Sequence, residues 1–92
     1  MPSLLEAIQS HKVLIADGAT GTELHKAGLP SGMAPEKWNL DNPDAITALH
    51  QSYLDAGSDI VLTNSFGGSP IKLAMTGLQN DAIRINQQAA AI

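Results

Sequence analysis

Asp17-Gly18-Ala19-Thr20-Gly21 sets a carboxylate directly before a glycine turn, and Thr63-Asn64-Ser65 sets two hydroxyls and an amide before Gly67-Gly68. A carboxylate held at a fixed point attracts a cationic group such as an ammonium and repels phosphate. The peptide N–H groups of Gly18 and Ala19, where they are free, suit a carboxylate. Together these preferences describe the head group of an amino acid. The same residues also suit plain turn chemistry, in which Asp before Gly, or Ser and Asn before a glycine pair, bonds its own backbone. Both roles are open at each tip.

Other chemistries fit less well. Gly18 and Gly21 lack the third glycine of a dinucleotide-binding turn, and no Lys-Ser/Thr pair follows as in a phosphate loop. His11, His25 and His50 have no metal-ligand spacing. Lys26, Lys72 and Arg84 read as solvated. Glu36 and Trp38 fall in a proline- and glycine-bearing stretch, where the indole can either wall a pocket or anchor the loop by burial.

The elements that must carry these tips follow from periodicity. Leu4, Leu5 and Ile8 predict a short helix over Pro2 to Gln9, with Pro2 in its first turn, covering the bottom of the next strand. Val13 to Ala16 is apolar without alternation, the pattern of a strand buried on both faces, and it ends at Asp17. A short helix is expected over Thr22–Ala27, stopped by Gly28, then a long loop from Leu29 to Asn42. Asn42-Pro43-Asp44 opens an amphipathic helix with Ile46, Leu49, Tyr53 and Leu54 on one stripe and Gly57 at its end. Asp59 to Thr63 repeats the buried-strand pattern. Ser69-Pro70 starts another helix that stops at Gly77, and Asn80 caps a last one carrying Ile83 and Ile85.

Strands alternating with helices imply parallel βαβ connectivity. A β/α barrel needs about 250 residues, so two such units make roughly its first third. The expectation is an α/β chain, the N-terminal fragment of a (β/α)8 TIM barrel, with residues 1–92 forming a domain portion incomplete at its C-terminal end.

Composition narrows the function classes. The net charge is −4, and the five Lys and Arg residues are scattered singly, which disfavours nucleic-acid binding. No apolar run approaches a bilayer span and no signal-peptide pattern opens the chain, so a cytoplasmic location is the simplest expectation. With no cysteine there is neither a disulfide framework nor a thiolate metal site from these residues.

Taken in order, Asp17-Gly18-Ala19-Thr20-Gly21-Thr22-Glu23-Leu24, Glu36-Lys37-Trp38-Asn39, Asn42-Pro43, His50, Tyr53-Leu54-Asp55-Ala56-Gly57-Ser58-Asp59 and Thr63-Asn64-Ser65-Phe66-Gly67-Gly68 resemble the start of the homocysteine S-methyltransferase family. That family includes betaine-homocysteine methyltransferases and the homocysteine-binding module of cobalamin-dependent methionine synthases. The resemblance implies a (β/α)8 barrel that binds homocysteine at its C-terminal face and uses a zinc ion held by three cysteine thiolates to activate the sulfur. It also implies that Asp17 binds the substrate ammonium, with Gly18 and Ala19 as the adjoining backbone and Thr63, Asn64 and Ser65 lining the same pocket.

Two departures stand out: Ser65 replaces the threonine of many members, and the zinc cysteines are absent, so zinc ligands are expected outside this chain. The segments that would choose betaine, S-methylmethionine, or a methylcobalamin or methylfolate system as donor are absent too. The function expected is substrate recognition in a zinc-dependent homocysteine methyltransferase, with homocysteine and the rest of the barrel as partners. Two readings compete with it: a stand-alone, non-catalytic binding module, and another barrel enzyme acting on an amino acid.

Overall fold

The computed structural model describes residues 3–10 and 13–92. The expected first-turn role of Pro2 and the surface position of His11 lie outside the described residues. Six α-helices follow one another: α1 (Leu4–Ser10), α2 (Gly21–Lys26), α3 (Trp38–Asp41), α4 (Pro43–Asp55), α5 (Pro70–Leu73) and α6 (Ala82–Ala91). Single 3-10 turns at Pro35–Lys37, Ala74–Thr76 and Gln79–Asp81 link them.

The glycine stops work through closing hydrogen bonds. At the end of α4 the N–H of Gly57 donates to the carbonyl of Leu54 at 3.1 Å, and the N–H of Ser58 donates to that of Tyr53 at 3.0 Å. This double closure needs a left-handed residue at Gly57, whose φ is +111°. Helix α2 ends the same way at Gly28, where Leu29 N–H reaches the Leu24 carbonyl at 2.9 Å. The closure also folds Leu29 back onto Leu24, and both enter the main core.

That core gathers Leu24, Leu29, Trp38, Ile46 and Leu49, with Met33, Ala45, Tyr53 and Ile92 packed around it. A second cluster of Leu73, Ala82 and Ile85 is covered by Leu40 and Leu78. Helix α3 lies between, packing against both α4 and α6. Each fully buried Leu or Ile contributes about 1.5–3 kcal/mol relative to exposure.

Several expectations need correction. The stretch from Leu29 to Asn42 is not plain loop, because Pro35–Lys37 and α3 give it helical turns and Trp38 anchors it by burial. A four-residue helix is far shorter than the window of about 11–18 residues over which helical periodicity is read, which hid it. Asn80 does not cap the last helix; it lies in a 3-10 turn, and α6 begins at Ala82. Ile85 is enclosed as expected, whereas Ile83 is exposed and Ala82 and Ala89 complete the buried stripe.

The two apolar runs are extended and parallel, joined by one bridge between Ala16 and Ile60, and no strand is formed among the described residues. They are not buried on both faces: Val13 is 73% exposed, Ile15 57% and Leu62 65%. Two neighbouring segments cannot supply the further strands and second helical layer that a parallel sheet requires. For the same reason Leu4, Leu5 and Ile8 of α1 face solvent. No helix among the described residues is long and apolar enough to cross a membrane.

Candidate functional site

The two polar tips meet because the extended segments run side by side. Ile60 N–H donates to the Ile15 carbonyl at 3.1 Å and Asp17 N–H donates to the Ile60 carbonyl at 2.9 Å. The next rung of a parallel ladder would run from Leu62 N–H to the Asp17 carbonyl. Instead Leu62 N–H donates to Asp17 Oδ2 at 3.1 Å. The carboxylate thus takes the place of the backbone acceptor and ends the ladder where the tips begin. At the other end Asp59 mirrors it, accepting Ile15 N–H through Oδ2 at 2.9 Å.

Beyond this point lies a cleft of about 460 Å³. Gly18, Thr63, Asn64 and Ser65 line it, together with Thr20, Gly21, Glu36, Gly67 and Lys72. Asp17 and Ala19 adjoin the cleft through Gly18 without lining it. Among the described residues the N–H groups of Gly18 and Ala19 donate to no protein acceptor, while the Ala19 carbonyl accepts from the Tyr53 hydroxyl at 2.7 Å. Tyr53 therefore fixes the first turn from α4 and leaves its amides available.

The second tip is held from beneath by amides. Asn39 is fully buried, and its Nδ2 donates to the Asn64 carbonyl at 2.9 Å and the Ile85 carbonyl at 3.2 Å. In return Asn64 Nδ2 donates to Asn39 Oδ1 at 2.9 Å and to the Pro35 carbonyl at 3.0 Å. Both amide hydrogens of Asn64 are spent on the framework, so its side chain shapes the tip rather than offering a donor to a ligand. Asn86 adds a third support, donating to the Gly68 carbonyl at 2.9 Å. The hydroxyls of Thr63 and Ser65 bond each other at 2.6 Å, which leaves one hydroxyl hydrogen of the pair for a ligand.

Glu36 is the motif residue to which the sequence reading assigned no role in the site. It is 6% exposed, the one charged side chain buried among the described residues. Burial pushes its carboxyl above the ordinary glutamate value, opposed by hydrogen bonding to the backbone of Glu36 itself and of Gly67 and by the charge of Lys72. A Cβ on Gly67 would stand 2.6 Å from Glu36 Oε1, so a larger residue there would push the carboxylate aside. The signal in sequence was slight: an acidic residue after Pro35 in a segment whose tryptophan had to be buried.

Metal ligation has no basis in these residues. The sequence has no cysteine, and among the described residues no group of three His, Asp or Glu side chains could hold an ion. His25 Nδ1 lies 2.9 Å from the Leu29 carbonyl, and His50 Nδ1 is enclosed with no hydrogen-bond partner among the described residues.

Comparison with known proteins agrees with the order of motifs. The sequence model for homocysteine S-methyltransferase matches residues 14–92. The chain is 32% identical to the methionine synthase of Mycobacterium tuberculosis over 91 residues, covering 92% of this chain and 8% of that protein. It is 39% identical to the methionine synthase of Mycobacterium leprae over 70 residues, 70% of this chain and 6% of that one. It is 34% identical to the S-methylmethionine–homocysteine S-methyltransferase of Pongo abelii over 67 residues, 72% of this chain and 18% of that enzyme. The chain thus spans less than a fifth of each of these relatives.

Proposed function

Because the chain belongs to the homocysteine S-methyltransferase family, we propose that its cleft holds the amino-acid head group of homocysteine while a methyl group is transferred to the thiol, giving methionine. The observation that carries this reading is the pairing of tips. The unspent amides of Gly18 and Ala19 and the hydroxyls of Thr63 and Ser65 flank one cleft, beside a carboxylate at Asp17. Free N–H groups receive the substrate carboxylate, the hydroxyl pair adds one donor, and Asp17 attracts the ammonium through the oxygen not engaged by Leu62.

In the same reading the chain supplies the first two βα units of a (β/α)8 barrel. Parallel pairing at Ala16 and Ile60 and tips gathered at the C-terminal ends of both segments support it. Zinc, when bound, would turn the substrate thiol into a thiolate near neutral pH. The donor set here does not fit that ion, so its ligands belong to other sequence, and this chain's part is recognition. A cytoplasmic setting belongs to the proposal as well, since thiols stay reduced there.

The test is calorimetric titration of the full-length protein with homocysteine, followed by methyl-transfer assays with betaine, S-methylmethionine, methylcobalamin and methylfolate as donors. Saturable homocysteine binding and methionine formation with one donor are expected. Failure to bind homocysteine, or binding with no methionine from any of the four donors, would overturn the reading.

A further inference from the structure

We propose that Glu36 is a ligand-binding carboxylate of this cleft, accepting the substrate ammonium. The assignment rests on the amino-acid reading above and adds a residue to it.

Four observations converge on it. Glu36 lines the cleft yet is almost wholly removed from solvent. Its Oε1 lies against the bare backbone of Gly67, at a place where any larger residue would displace it. Lys72 is the cation that lines the cleft with it, but that side chain is exposed. The ion pairs formed among the described residues join Lys26 to Glu23, Lys37 to Asp41 and Arg84 to Asp81, none of them to Glu36.

The carboxylate is therefore buried beside a cavity with no counter-ion in contact. Such an arrangement costs free energy in the empty protein. A cation entering the cleft removes that cost and forms charge-assisted hydrogen bonds in a site of low dielectric. An ammonium group has three N–H donors, so it can bond Glu36 and a further acceptor at once.

The experiment compares L-homocysteine with 4-mercaptobutyrate, which keeps the thiol and carboxylate but lacks the ammonium. Titrations use the full-length protein and its Glu36→Gln variant. The expected result is a loss of about tenfold or more in homocysteine affinity for the variant, with the affinity for 4-mercaptobutyrate unchanged. A second measurement needs no variant: with carboxyl-labelled glutamate, the Glu36 resonance should move on adding homocysteine and stay still with 4-mercaptobutyrate.

Equal losses for both ligands would make Glu36 a brace for the Gly67 backbone and overturn the proposal. So would an unchanged variant, or a resonance that homocysteine does not move. If the wild-type protein binds neither compound, the homocysteine reading itself fails, a result distinct from the others.

Discussion

Asp17 Oδ2 accepts the amide hydrogen of Leu62 at 3.1 Å, so one carboxylate both ends the parallel pairing and ties the first polar tip to the second. The other oxygen accepts no hydrogen bond among the described residues. This double duty separates two substitutions that are usually treated as equivalent.

Asp17→Asn keeps an oxygen for Leu62 and removes the charge, whereas Asp17→Ala removes both. The asparagine variant should fold like the wild type and raise the homocysteine KM by about tenfold or more, the loss of one charge-assisted bond. The alanine variant should in addition lower Tm. Steady-state kinetics and thermal melts on the full-length protein check both, and an unchanged KM in Asp17→Asn would leave the residue as a tie between tips only.

Asn39 donates to two carbonyls while itself fully buried. Asn39→Asp would set a carboxylate against those same oxygens, a loss of about 2–4 kcal/mol by the usual cost of stranded buried polar groups. Its proton would be held to higher pH in the folded than in the unfolded state. Stability should therefore be best at low pH and fall as pH rises through the folded-state pKa. Urea unfolding of variant and wild type across pH measures the difference.

The Tyr53 hydroxyl reaches the Ala19 carbonyl at 2.7 Å, and a Cβ on Gly18 would lie 3.3 Å from the same oxygen. Tyr53→Phe should cost about 1 kcal/mol of stability and loosen the turn whose amides face the ligand. A small drop in Tm with a several-fold rise in homocysteine Kd is the expected pair of results.

Glu36 gives a pH signature of its own. Its carboxyl is raised by burial, with the Gly67 backbone and Lys72 acting the other way. The folded state then binds the proton more tightly than the unfolded chain. Stability is highest below the unfolded-state value and declines as pH rises through the folded-state pKa, levelling above it. The Glu36→Gln variant loses this decline, and each unit of elevation corresponds to about 1.4 kcal/mol. Urea midpoints for the two proteins should diverge in that window, with the variant the more stable at neutral pH.

Local order along the chain was legible without coordinates. The stops at Gly28, Gly57 and Gly77, the entries at Pro43 and Ser69-Pro70, and the stripe of Ile46, Leu49 and Tyr53 are set by neighbours a few residues away. Backbone sterics and capping act over that range. The motif order from Asp17 to Gly68 also identified the family, and Gly18, Thr63, Asn64 and Ser65 line one cleft.

Tertiary structure alone decided how those residues are used. Asp17 was read by its type, but that it replaces a ladder carbonyl depends on Leu62 lying opposite, 45 positions away. Asn64 looked like a donor until both its hydrogens were found engaged by Pro35 and Asn39. Glu36 was noted in the loop and in the motif with Trp38 but given no role, because a carboxylate's burial is set by what packs over it, not by its neighbours in sequence. The apolar runs from Val13 and from Asp59 carry the pattern of buried strands, but whether they are buried depends on what covers them. Propensity and pattern belong to the sequence, while exposure, charge cost and hydrogen-bond commitment belong to the contacts between distant segments.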